Sequence, residues 1–509
     1  MNQALHIFFK DVRRHWLEIV VSFLLLFWFG WESPIFWSQE SNFGEGQASR
    51  WLLGLLGISV CFCWWFLIVR VIQGESLVGD RQFWLTRPYQ RRWLMAAKAL
   101  FIVAFINIPV LIFDIASLTR VGFSSWHHMP GLLQGQFLLT VFLILPVVAI
   151  SVITESPAQF LLILFAVIAY ISGVTWVVGQ IPNSDPGGDI IGPIVLIAEG
   201  CTCVALIVLQ YFRRDTLVSR WTLLGSGCLI AIALTVAPYG FLVERAYPAA
   251  PVGSLIPTGV NIDKPGSAKP DVNPTTDMTL ELYVPIDTSG LPQGSVASTE
   301  AARLTIVGPD GLSWNSGWIR SGRVLWPASG RFIQQFEVSS KFYSSVAGRP
   351  VDMRIGLAIS EYREGAPKQI TVTEGTFKVT DDGICALGKG RFSDTSTLEC
   401  KSALNEPAFA AHLVPRSTTC TLPDPTWPSM QFRRSDGNTS AEFGGGAGLV
   451  PVHPFRIDFG SASDPSGDLV SIICPGTNFS ISPLAPFSQY RIETKIRAAH
   501  LGNYRSYNF

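Results

Sequence analysis

The sequence predicts a multi-domain membrane protein: an α-helical transmembrane bundle of about seven helices, followed by an all-β extracytoplasmic region of antiparallel β-sandwich type. Three observations lead there. Up to about Val243 the chain is rich in Trp and Phe and falls into apolar runs of membrane-spanning length. Beyond Val243 it turns polar, with many Gly, Pro, Ser and Thr around short alternating segments. Lys and Arg crowd the N-terminus, the second connection and the connection after the sixth apolar run. The 509 residues, enough for two or more domains, carry 38 basic and 38 acidic side chains, a neutral total that hides this division. No basic tail points to nucleic acid as a partner.

A helix crossing a bilayer needs about 20 mostly apolar residues. Seven runs qualify: Trp16–Trp37, Trp51–Val71, Ala97–Leu118, Leu132–Ile153, Phe160–Val178, Ile190–Phe212 and Trp221–Val243. Trp16, Trp37, Trp51 and Trp221 sit at run ends, where aromatic anchors meet the interface. Pro109 and Pro146 are expected to kink their helices. In residues 1–15 and at Trp16, Leu5, Phe8, Phe9, Val12 and Trp16 recur at helical spacing, with Lys10, Arg13 and Arg14 mostly opposite. This segment is either a helix lying on the inner leaflet or a cytoplasmic extension of the first span. No small-residue cleavage site follows the first run, so it is not read as a signal peptide.

The connection Arg70–Lys98 fixes the orientation. Its 29 residues hold six basic side chains (Arg70, Arg81, Arg87, Arg91, Arg92, Lys98) and two acidic ones (Glu75, Asp80). Lys10, Arg13 and Arg14 before the first run, and Arg213, Arg214 and Arg220 after the sixth, lie on the same side; the opposite connections hold little beyond Arg50 and Arg120. The positive-inside rule makes the N-terminus cytoplasmic, and seven crossings put everything after Val243 outside. The expected location is a bacterial inner membrane, with the C-terminal half periplasmic or extracellular.

Two carboxylates inside spans are the site candidates. Glu199 is near the middle of the sixth run and Asp114 toward the outer end of the third. Each is either a polar contact in a translocation path or subunit interface, or a structural partner for a polar group on another helix.

Residues 244–275 read as a Pro/Gly/Ala-rich linker. Alternating segments at Met278–Val284, Ala302–Val307, Arg331–Val338, Val351–Ile359, Gln369–Val379, Asp468–Cys474 and Phe487–Ile496 read as strands. They are expected to form two sandwiches, 276–380 and 381–509. The second holds Cys385, Cys400, Cys420 and Cys474, expected to make two disulfides outside the cytoplasm. Of three connectivities, 385 with 400 and 420 with 474 is taken first. No CxxC pair occurs, so zinc is not expected.

No catalytic constellation is found. HExxH and GxSxG are absent, and His412 and His453 are isolated. His127-His128, in an outside connection, is the one histidine pair open to a metal. Trp314, Trp318 and Trp326 are either a stacking surface for a sugar or peptide or packing residues. No GxxxxGK[ST] occurs, so the chain supplies no P-loop ATPase. No enzyme activity, metal or cofactor is assigned.

Within the basic connection, Glu75, then Phe83-Trp84-Leu85-Thr86-Arg87-Pro88, then Arg91-Arg92, Leu94 and Lys98 resembles the permease subunits of type-2 ABC transporters. The resemblance covers at most residues 1–243. It implies that Glu75, Trp84, Arg87, Pro88, Arg91 and Lys98 belong to a cytoplasmic coupling segment, joined by Phe9, Lys10 and Arg14 of the N-terminal helix. It further implies a separate ATPase subunit as partner, and a permease dimer. Such permeases commonly have six spans and no large domain after the last, so seven spans and a β region depart from the pattern. The other reading is a membrane-anchored envelope binding or sensing protein.

Overall fold

The computed structural model describes residues 2–38, 47–74, 90–180, 188–213, 215–236, 239–249, 279–287, 291–325, 331–371, 376–379, 383–389, 396–403, 409–414, 430–432, 452–459, 462–463, 469–470 and 478–504. The helical half runs α1 (Asn2–Arg14), α2 (Trp16–Ser38), α3 (Gln47–Gln73), α4 (Arg91–Ile102), α5 (Ile108–Val121), α6 (Met129–Leu139), α7 (Leu145–Ile153), α8 (Pro157–Gln180), α9 (Gly188–Phe212), α10 (Thr216–Val236) and α11 (Tyr239–Ala246). Helices α4 and α5 join into one span, Arg91–Val121, as α6 and α7 join into Met129–Ile153.

Among the described residues six helices are long and apolar enough to cross a membrane, against the seven expected. The difference is α10, whose apolar stretch Thr216–Ile232 is short of the others. A shared core runs through α1 to α7 around the fully buried Trp64. Span Pro157–Val174 of α8 is only 11% buried, as a lipid-facing helix would be.

The two prolines do not break their helices. Each follows a π-helical turn at the same spacing: Val103–Asn107 before Pro109, and Thr140–Ile144 before Pro146. A proline has no N–H for the carbonyl four residues back. The residue before it instead donates five back, Ile108 to Val103 and Leu145 to Thr140, and the helix axis continues. At Gly122 the third span stops: a left-handed φ of 91°, with Gly122 N–H on Thr119 O and Phe123 N–H on Leu118 O, both 2.9 Å, makes a Schellman end.

The polar half forms β1 (Thr279–Asp287), β2 (Ser295–Val307), β3 (Ser313–Leu325), β4 (Arg331–Ser339), α12 (Ser340–Val346), β5 (Val351–Glu364), β6 (Lys368–Thr371), β7 (Thr376–Val379), β8 (Gly383–Lys389), β9 (Ser396–Ala403), β10 (Phe409–Val414), β11 (Met430–Phe432), β12 (Val452–Phe459), β13 (Ala462–Ser463), β14 (Leu469–Val470) and β15 (Asn478–Ala499). The expected closed sandwich is not what forms. The main sheet, β10-β15-β5-β2-β3 with β6 on β15, is antiparallel and curled into a half-barrel. Bulges in β2 at Thr299/Ala301, and in β15 at Pro486/Ser488 and Ile496/Ala499, supply the bends that curl it. The expected division near 380–384 is crossed by β15, which pairs with β5 from Leu484↔Glu364 to Ala499↔Val351.

Strand β5 lies between two layers. Ile355, Leu357 and Ile359 pack with Leu282, Val284 and Phe336 of the β1–β4 pair. On the other face Ala358 packs with Val243 and Tyr247 of the α11 segment and with Trp318 of β3. Burial on both faces explains why its pattern alternates only at its start.

The expectation of disulfides is corrected: among the described residues no two sulfurs lie at bonding distance. Cys385 and Cys400 are direct backbone partners in the β8–β9 pairing. Register is not enough, because β-carbons of opposed residues typically sit about 4.5–5.5 Å apart and a disulfide needs about 3.8 Å. Cys420 and Cys474 lie outside the described residues. Cys61, Cys63, Cys201, Cys203 and Cys228 are free thiols in the helices.

A candidate coupling surface at the loop end of the bundle

One end of the bundle gathers α1, the end of α3, the start of α4 and the ends of α7 and α9. Lys98 is its centre. Its burial near the start of the span Arg91–Val121 requires a partner, since a lone ammonium there is expensive. Lys98 Nζ donates to Asp11 Oδ2 at 2.7 Å and to the Val71 carbonyl at 2.9 Å, and both side chains are about 4–5% exposed. One ammonium thus ties α1 to the end of α3 and the start of the third span.

This contact sets which face of α1 is buried. Ala4, Ile7, Asp11 and His15 point inward, while Leu5, Phe9 and Trp16 stay exposed. Of the expected apolar face, Phe8 and Val12 pack against Phe101 and Phe105, and Leu5, Phe9 and Trp16 are not covered by protein. Burial lowers the His15 pKa below its usual 6.5, and the helix-breaking residue between α1 and α2 is held toward its neutral form.

Further contacts close the same end. Arg70 reaches Glu18 at 3.7 Å and lies over the Phe66 ring. Gln73 Nε2 donates to Thr154 Oγ1 at 2.9 Å, joining the ends of α3 and α7. Arg91 Nη1 donates to the Phe212 carbonyl at 2.6 Å, capping the negative end of α9. Arg92 stacks on Trp93, and both donate to Gln90 Oε1.

Of the expected coupling residues, Arg91 and Lys98 belong to this cluster. Glu75, Trp84, Arg87 and Pro88 lie outside the described residues. Lys10 is half-buried, and Phe9 and Arg14 are exposed. Sequence reasoning missed Asp11, Glu18 and Gln73. Asp11 had a signal: it shares a helical face with Ala4 and Ile7, where an acid makes sense only with a buried cation.

The chain matches no family model, no curated protein and no solved structure. It is a multi-span membrane protein with a C-terminal extracytoplasmic β region, an arrangement consistent with an ABC permease and not specific to one.

The remaining candidates separate. Glu199 is half-buried on α9, with Gly200 beside it seated against Val141 in the second π turn. Asp114 is on α5 at the far end of the bundle and accepts from Gln136. His128 is buried against Phe123 and His127. Among the described residues no group of three or more His, Cys, Asp or Glu is placed to hold a metal. Trp318 is 4% exposed and is a packing residue; Trp314 lies against Phe342, and Trp326 falls outside the described residues.

At the opposite end the sheet is seated on the helices twice. Ile384 of β8 packs on Leu118, Phe123 and Leu132. Helix α11 packs on the sheet through Val243, Tyr247 and Trp318, and Arg303 bonds Glu244 at 2.9 Å and Glu493 at 2.6 Å while covering the Trp318 ring. Gly240 and Gly356 leave the room this indole occupies: a β-carbon on either would come within 3.2 Å of it.

Proposed function

We propose that this chain is the membrane subunit of an ATP-driven transport system of the ABC type. A separate cytoplasmic ATPase would bind the connection 70–98 together with α1, and the β region outside would bind substrate or a partner. In this reading the N-terminus is cytoplasmic, α10 makes the seventh crossing, two copies pair, and the chain hydrolyses nothing itself. The observation that carries it is the buried Asp11–Lys98–Val71 junction. A partner pushing on the basic connection or on α1 would act on α1 and the second and third spans as one body, because a buried, mutually satisfied ion pair has one favourable geometry.

The test is affinity purification of the full chain from its own membranes. The expected result is an ATPase polypeptide that co-purifies with the wild type and is lost on Arg87→Glu, with the variant still folded. A chain that purifies alone contradicts the proposal. That outcome would favour the second reading, an envelope binding or sensing protein, for which the large β region seated on α11 is the motive.

A further inference from the structure

The far end of the bundle holds a second buried polar site that coupling does not use. A cavity between α2 and α5 is lined by Ser33, Asp114 and Ser117 on otherwise apolar walls, with room for about one water-sized guest. Both serines are buried, at 3% and 6% exposed. A space this small excludes a transported organic substrate.

The hydrogen bonds around Asp114 give it one weak donor. Thr140 Oγ1 donates to the Gln136 carbonyl at 2.8 Å, so it accepts from Asn107 Nδ2 at 2.9 Å. The same Asn107 amide nitrogen faces Gln136 Oε1 at 3.4 Å. Gln136 therefore turns its Nε2 to Asp114, at 3.5 Å, a weak donor at the limit of hydrogen-bonding distance. The basic residue of this helix end, Arg120, does not compensate the carboxylate; it donates to the Trp31 carbonyl at 3.0 Å and covers the Trp31 ring at 4.3 Å.

An acid presented with a donor, in a cavity with two hydroxyl oxygens, is arranged for a positive guest. One carboxylate balances one charge. A calcium ion takes six to eight oxygens, usually with several carboxylates, and magnesium gives up water reluctantly. We propose that Asp114, Ser33 and Ser117 bind a sodium-sized monovalent cation in this cavity. The proposal is independent of the transport reading.

The experiment follows thermal stability of the detergent-solubilised full chain as sodium replaces choline at constant pH and ionic strength. The expected result is a saturable rise in melting temperature that Asp114→Asn abolishes. Ser117→Ala, which keeps the acid, should raise the half-saturating sodium concentration about tenfold, equivalent to about 1.4 kcal/mol. It also keeps the test decisive where Asp114→Asn fails to fold. A sodium response identical in wild type and Ser117→Ala overturns the proposal. So does stability that follows pH alone and is indifferent to sodium, which would make Asp114 a protonated structural acid.

Discussion

Replacing Lys98 by Met is expected to destabilise the folded chain by about 3–5 kcal/mol, because it leaves the Asp11 carboxylate buried without its cation. The loss should be local first. Helix α1 should detach from α3 and the third span, so that protease reaches residues 2–14 in membranes where the wild type is protected. The double variant Asp11→Leu/Lys98→Met is expected to recover to within about 1 kcal/mol of wild type, since a buried pair replaced by apolar groups of similar volume is often neutral. The measurement is the fraction of detergent-solubilised protein that remains monodisperse after heating, with protease mapping of α1. A double variant as weak as the single one would show that the pair is not an isolated unit. A recovered double variant with lost ATPase binding would separate the pair's role in coupling from its role in stability.

At the other end, Trp318→Ala is expected to cost about 3–5 kcal/mol, the range for truncating a buried large aromatic. The indole fills the space between α11 and the sheet, under the Arg303 guanidinium that holds Glu244 and Glu493. Removing it opens a cavity and exposes the side chains of Val243 and Tyr247. Limited proteolysis should then cut in 239–249 while the core around Leu357 and Phe336 stays protected. Trp318→Phe should recover most of the protection. Equal loss across the whole sheet would mean that the junction and the sheet unfold as one.

The sequence made the apolar runs legible because length and composition alone decide a membrane helix. It placed Lys98 only at the end of the basic connection, as one of its six cations. It did not reveal the partner, because Asp11 is 87 residues away and its own neighbours are basic. The apolar face of α1 was legible, but the second, buried face of Ala4, Ile7, Asp11 and His15 was not, because one ion pair organises it. The prolines were legible as disturbances, but the π turns that absorb them depend on a hydrogen bond that composition does not show. In the β half, strands with clean alternation, such as β1 and β4, were legible. Strand β3 was missed because SWNSGWIRSGRVL breaks the alternation with Gly and Ser, although Trp318 is buried. The half-barrel was not legible at all. It depends on β15 returning to β5, a pairing over more than a hundred residues, and on bulges that have no local signature.

The proposed function requires the coupling surface and the β region to lie on opposite sides of one membrane. The most direct test places a short epitope at each end of the full chain and exposes intact cells and inverted membrane vesicles to protease. The N-terminal epitope is expected to be cut only in inverted vesicles and the C-terminal epitope only from outside intact cells. Both epitopes cut from the same side would contradict it.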